Sequence, residues 1–226
     1  MGNQAGPEEL IIEVLPGSMS HLKYLKILFA LVVVCSVVAC TTSVKVQGTV
    51  PTPLVTKIPA NIGVHFSDEF ATFKYKEVLP NAGTWKIDLG GQNLRFFRNL
   101  LASMFDSIEE VAEPPFPIGR MQHLDGVIVP RIVKYGFLTP AISGLNFYSA
   151  SIQYQILLYD RGGQVIGDWN IVGYGKSEGG LFGADDALGE ATMLAIRDGG
   201  ARIAIEMAGQ PQVIAWLESL NSTEEE

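Results

Sequence analysis

Two short stretches of the 226-residue chain carry residue types that perform transfer chemistry in other folds. Gly175-Lys176-Ser177 ends like a phosphate-binding loop, in which a lysine meets the phosphates and a hydroxyl holds magnesium. That loop also needs a glycine five residues before Gly175, so that backbone amides can wrap a phosphate, and Asn170 stands there instead. Gly175-Lys176-Ser177-Glu178-Gly179 also has the G-x-S-x-G form of a hydrolase nucleophile turn. Those enzymes place the acid and the histidine after the serine, whereas His21, His65 and His123 all precede Ser177. His65 and His123 lie on separate segments without the close pairing of a zinc site. The adjacent carboxylates Asp68-Glu69 and Glu109-Glu110 point apart on either a helix or a strand and read as solvated. No catalytic constellation is left, so the expectation is a chain that is not an enzyme and has no metal or cofactor site.

The residue with the most definite chemistry is Cys40. Ile27 to Ala39 is an unbroken apolar run, shorter than the roughly 18–20 residues that a membrane-spanning helix needs. Lys23 and Lys26 supply the positive flank of a secretory signal. The run ends on Val37-Val38-Ala39-Cys40, which resembles the bacterial lipobox. In proteins with that motif the thiol is acylated, the leader is cut before the cysteine, and the new amino terminus is acylated in turn. Diacylglycerol and palmitate are the groups expected on Cys40. The bland alternative is a membrane helix with a chance cysteine. Two acyl attachments make physical sense of the motif, because one chain alone holds a protein only weakly on a bilayer. Residues 1–18, with Glu8, Glu9 and Glu13, read as an extended or mis-called start, and residues 19–39 as the signal peptide.

A formal net charge of −8 argues against nucleic acid, which is bound by neutralising phosphates. It argues equally against an electrostatic membrane patch, and so leaves the lipid to do the anchoring. Of the two cysteines, Cys35 leaves with the leader and Cys40 is consumed by acylation, so no disulfide is expected.

The elements that would carry these residues follow from periodicity. Residues 40–58, rich in Thr, Val and Pro, read as a lipidated tether whose valines could add an edge strand. Residues 59–220 form a single domain, and 221–226 an acidic tail. Short strands are expected over 61–67, 71–78, 83–89 and 107–113. The segment 90–107 carries Leu94, Phe97, Leu101 and Met104 at helical spacing. Residues 125–137 read as a strand in which Pro130 marks an edge or bulge. From Tyr148 the even positions through Leu158 are largely apolar and Ser149, Ser151, Gln153 and Gln155 are polar, a long strand with one wet face. Asp160-Arg161-Gly162-Gly163 turns the chain into a second long strand. A helix over 184–207 starts with Asp185 and Asp186 as capping carboxylates and has a possible break at Gly199-Gly200. Pro211 opens a last helix.

This order of parts resembles a YajG-type outer-membrane lipoprotein. The resemblance rests on Cys40, "IGV", "LRFFRNLLASMF", "DGVIVPRIVKY", the long hairpin, "GYGKS", "DDALGEATMLAIRD" and "PQVIAWL". More distantly it extends to PelC-like and ABC-transport auxiliary lipoproteins. It implies a non-enzymatic periplasmic domain tethered to a membrane, and supplies no ligand. The fold expected is α+β, a mostly antiparallel sheet with helices on one face. The leading function is an adaptor in an envelope assembly on the periplasmic face of the outer membrane, because Thr41 replaces the Asp of inner-membrane retention. Its partners would be the membrane, through Cys40, and an envelope protein. The rival is a transport auxiliary that carries a lipid or other apolar ligand. Leu181 and Phe182, in the glycine-rich loop 178–183, either fold back onto the sheet edge or dock that partner protein.

Overall fold

Alternation along Tyr148–Leu158 builds the strand around which the molecule is assembled. In the computed structural model, which describes residues 41–49, 51, 53–112, 123–179 and 183–223 of the unit Cys40–Glu226, this strand runs Phe147–Asp160. In chain order the strands are β1 (Thr41–Lys45), β2 (Ile58–Val64), β3 (Lys74–Leu79), β4 (Gly83–Asp88), β5 (Phe105–Glu110), β6 (Gly126–Leu138), β7 (Phe147–Asp160) and β8 (Val165–Glu178). The helices are α1 (Asp68–Ala71), α2 (Gly90–Met104), α3 (Pro140–Ser143), α4 (Ala184–Glu206) and α5 (Pro211–Thr223), with a 3-10 turn at Met207–Gly209.

Two sheets form. A five-stranded sheet has the order β5-β2-β6-β7-β8, and a three-stranded one the order β1-β4-β3. The β6-β7 and β7-β8 pairs are antiparallel, but β2 pairs parallel with both β5 and β6, and β1 pairs parallel with β4. The α+β class is as expected, whereas the sheets are mixed rather than mostly antiparallel. The reason lies in the connections. Helix α2 carries the chain from β4 to β5 beside β2, and a parallel neighbour needs such a crossover.

Ile152, Tyr154, Ile156 and Leu158 are all almost fully buried, while Gln153 and Gln155 are half-buried on the other face and bond outward to Asn170 and Asp168. The β7-β8 turn forms as its sequence suggests: Gly163 takes φ 77° and Asp160 Oδ1 accepts from the Gln164 amide. Pro130 sits inside the sheet order, yet it breaks no ladder. The His65 amide donates to the Ile128 carbonyl, so Ile128 faces β2; alternation turns Pro130 the same way, beyond the last β2 pair, Val64–Ile128. An irregularity between Ile132 and Lys134 then leaves Val133 exposed.

The inner face is covered by α2 and α4. Gly199 and Gly200 do not break α4, which is continuous to Glu206. They serve packing instead. A methyl group on Gly199 would stand 2.9 Å from the Tyr154 ring, and one on Gly200 2.2 Å from that of Phe96. Asp185 and Asp186 lie in the first turn of α4, where they favour its dipole, but the N-cap is Gly183 and no side chain caps the helix. Helix α5 runs to Thr223, so half of the expected tail is helical because the 3.6 spacing of Val213, Trp216 and Leu220 continues.

The largest departure is at the start. Residues read as a tether open with strand β1, hydrogen-bonded in register from Thr41↔Thr84 to Lys45↔Asp88, with Val44 and Val46 buried. The edge strand that the valines could add is the one that forms, because Val44 and Val46, two residues apart, face the core together.

Candidate functional site

Cys40, Leu181 and Phe182 lie outside the described residues, so the site is built from what surrounds them. Thr41 is the first described residue, level with Thr84 on β4, which in turn pairs with Val78 on β3. These three form a row across the small sheet, next to the β3-β4 turn, where Asn81 takes the left-handed φ of 59°.

Aromatic contacts orient the large sheet against this row. Tyr75 meets Tyr135 at 5.1 Å between centroids, and Trp85 meets Phe137 at 5.5 Å. Moving along β6 from Tyr135 to Phe137 therefore moves along the small sheet from the Tyr75–Ile87 pair towards Thr84 and Val78. Leu138 ends β6 at that same end, followed by α3 with Ile142 and then Leu145. Phe147 pairs with Glu178 there as well, so the β8-α4 connection starts at this end. Strand β1 lies along α4 with Val44 near Gly189 and Gly48 near Met193, which sets Thr41 beside the α4 N-terminus. One end of the unit thus gathers Thr41 and a set of exposed apolar side chains: Val78 (69% exposed), Leu138 (45%), Ile142 (43%) and Leu145 (55%).

The two enzyme look-alikes come apart here. Ser177 faces inward, 7% exposed, and its hydroxyl donates to the Ala187 carbonyl at 2.5 Å. Lys176 faces the other way, its ammonium 4.2 Å from the centre of the Phe147 ring. Consecutive strand residues point to opposite faces, so a lysine and a hydroxyl cannot converge on one phosphate from these positions. Both lie within β8, not on a turn.

Several other polar groups are engaged structurally. His65 Nδ1 lies 3.1 Å from the Val111 carbonyl, and His123 pairs with Glu109 at 2.8 Å on the surface. Arg98 holds Glu110 with two hydrogen bonds, which keeps that carboxyl below its usual range. Asp125 accepts from the Asn61 amide at 2.7 Å and from Arg161, tying the loop before β6 to the β7-β8 hairpin. Among the described residues no group of three or more His, Cys, Asp or Glu could hold a metal ion.

A groove of about 540 Å³ runs between β1 and α4. Lys45, Asp185, Asp186, Glu190 and Arg197 line it, a charged wall unlike the apolar pocket that a lipid carrier needs. Among the described residues no helix is long and apolar enough to cross a membrane.

The fold defines a class, an α+β sandwich of two mixed sheets with helices between and beside them. A Helicobacter pylori protein described as a neuraminyllactose-binding hemagglutinin homolog shares it, with a TM-score of 0.51 and 11% identity over 77% of this chain and 98% of that one. Looser likenesses include a Xanthomonas campestris protein of family DUF330 (TM-score 0.46, 10% identity, 80% and 99% covered). They also include lipoprotein GNA1162 from Neisseria meningitidis (TM-score 0.32, 11% identity, 67% and 100% covered). At 11% identity the likeness to the Helicobacter pylori protein is one of fold alone. No family model and no curated protein matches the sequence.

Sequence reasoning did not single out the exposed apolar residues. One signal was available: alternation that puts Lys74 and Lys76 on the wet face of β3 puts Val78 there too.

Proposed function

We propose that the chain is a bacterial lipoprotein of the YajG type, acylated at Cys40 and held on the periplasmic face of the outer membrane. Its role is that of a non-enzymatic adaptor in an envelope assembly. The observation that supports this reading is the position of β1. The compact unit Cys40–Glu226 opens with β1 at Thr41, the residue that follows the lipobox cysteine, so an acyl anchor on Cys40 would stand directly against a strand paired with β4. The engaged state of Ser177 and Lys176 supports a binding role over a transfer role.

The test begins with Cys40→Ser, which should leave an unprocessed precursor of higher mass that is absent from the outer-membrane fraction. Normal processing in that variant would end the lipoprotein reading, and wild-type protein fractionating with the inner membrane would end the outer-membrane assignment. For the adaptor role, wild type and a Leu181→Ser, Phe182→Ser double variant are recovered from membranes in mild detergent. A stable variant that loses the co-purifying protein supports docking through this loop. Lost stability assigns both residues to the core, and unchanged recovery rejects the loop as the docking element.

A further inference from the structure

We propose that the end of the domain bearing Val78, Leu138, Ile142 and Leu145 lies directly on the lipid surface, with these side chains in the bilayer interface. The inference rests on the reading of Cys40 as the acylated residue and adds to it an orientation.

Reach sets the orientation. Consecutive Cα atoms are about 3.8 Å apart, so an anchor on Cys40 stands one residue from Thr41. Thr41 is no longer tether but the first residue of a hydrogen-bonded strand whose Val44 and Val46 are buried in the core. An anchored domain usually swings on a linker of many residues; here no such length exists unless β1 is stripped from β4. The face of the molecule around Thr41 is therefore forced against the membrane whenever the acyl chains are inserted.

That face has the chemistry for it. Large apolar residues scattered singly over a surface need no explanation, but these come from two separate chain segments and collect beside Thr41. Val78 shares a cross-strand row with Thr41 through Thr84. Leu138, Ile142 and Leu145 belong to the β6-β7 connection, where the α3 turn projects exposed side chains that the core does not use. A protein partner could also cover such a face, but the acyl chains decide between them, since they bring lipid to this end first. Charges of both signs stand at this end, Lys76 on the Val78 face of β3 and Lys176, Glu178, Asp185 and Asp186 around the start of α4, so the attraction to the bilayer is apolar rather than electrostatic.

The experiment uses the acylated full-length protein. Once Cys35 is removed with the leader and Cys40 is acylated, no free thiol remains, so single Val78→Cys, Leu138→Cys and Leu145→Cys variants can each be labelled with a polarity-sensitive dye. Val165→Cys, exposed at the opposite end of β8, is the control. Each is reconstituted into phosphatidylcholine vesicles with and without lipid carrying a doxyl quencher high on its acyl chain, and intact mass establishes acylation. A blue shift and lipid-dependent loss of emission at positions 78, 138 and 145, absent at 165, is the expected result. Any other pattern in acylated protein overturns the orientation alone. A mature protein without acyl mass overturns the lipoprotein reading and the orientation with it.

Discussion

Gly173 on β8 lies so close to Ala195 on α4 that a methyl group added to it would sit 2.1 Å from the Ala195 carbonyl oxygen. Gly175 stands in the same relation to Ala191, at 2.0 Å. Helix and sheet touch backbone to backbone along this line, with Ala191 and Ala195 fully buried against the glycines. A backbone carbonyl in mid-helix cannot step aside as a side-chain tip can. Gly173→Ala should therefore destabilise by about 1–3 kcal/mol or more, the range for overpacking a core. Gly91→Ala, with open space around the site, should be neutral or slightly stabilising because alanine favours helix. Urea melts of the two variants compare them directly; similar midpoints would contradict the close approach.

Beneath that line the Tyr154 hydroxyl donates to Asn93 Oδ1, while Asn93 Nδ2 donates to the Leu89 carbonyl. Tyr154 and Asn93 are both fully buried. Tyr154→Phe leaves the amide oxygen without its donor, at about 1–3 kcal/mol for an unsatisfied buried group. Tyr135→Phe should cost less. Its hydroxyl bonds the Thr192 hydroxyl at 2.7 Å, which itself donates to the Leu188 carbonyl at 2.8 Å and keeps that bond in the variant.

Burial raises the ionisation of both tyrosines above the ordinary value of 10.0. The folded state then holds its phenolic protons after the unfolded chain has released them, so stability falls as pH rises above about 10. Below that pH the two states hold the same protons and the tyrosines add no slope. Denaturant midpoints between pH 8 and pH 11 should drop for the wild type, and less steeply for Tyr154→Phe.

Strand β7 allows a test of face. Ile156 is 1% exposed between Pro130 and Trp169 on neighbouring strands. Ile156→Ala should cost about 2–4 kcal/mol through lost transfer energy and the cavity left behind. Gln155→Ala, one residue away on the open face, should stay within about 0.5 kcal/mol. Equal losses in a denaturant melt would show a wrong register.

A further measurement addresses β1. If β1 is part of the fold, Val44→Ala should lower stability by about 2 kcal/mol, from two lost methyl groups' worth of burial plus a small void. A tether residue in the same position would register no change in thermal melting.

The strongest local patterns in the sequence were enough to place the β7-β8 hairpin, helices α2 and α4, and the α+β class. In each case the signal is carried by neighbours along the chain: alternation at period two, apolar positions at three and four, and glycines at the Asp160–Gly163 turn. The incompleteness of the two motif look-alikes was legible for the same reason, since Asn170 and the order of the histidines are facts of the chain itself.

Tertiary structure decided the rest. Whether Thr41–Lys45 is tether or strand depends on a partner 43 positions along, the Thr84 of the first pair, and no local pattern records that edge. Gly199-Gly200 reads equally as a break or as a packing surface until Phe96 and Tyr154 are set against it. The mixed sheet likewise follows from which strands the α2 crossover brings together. The gathering of Val78, Leu138, Ile142 and Leu145 around Thr41 is invisible in sequence, because exposure is a property of what fails to cover a residue, and that is settled only when every other element has found its place.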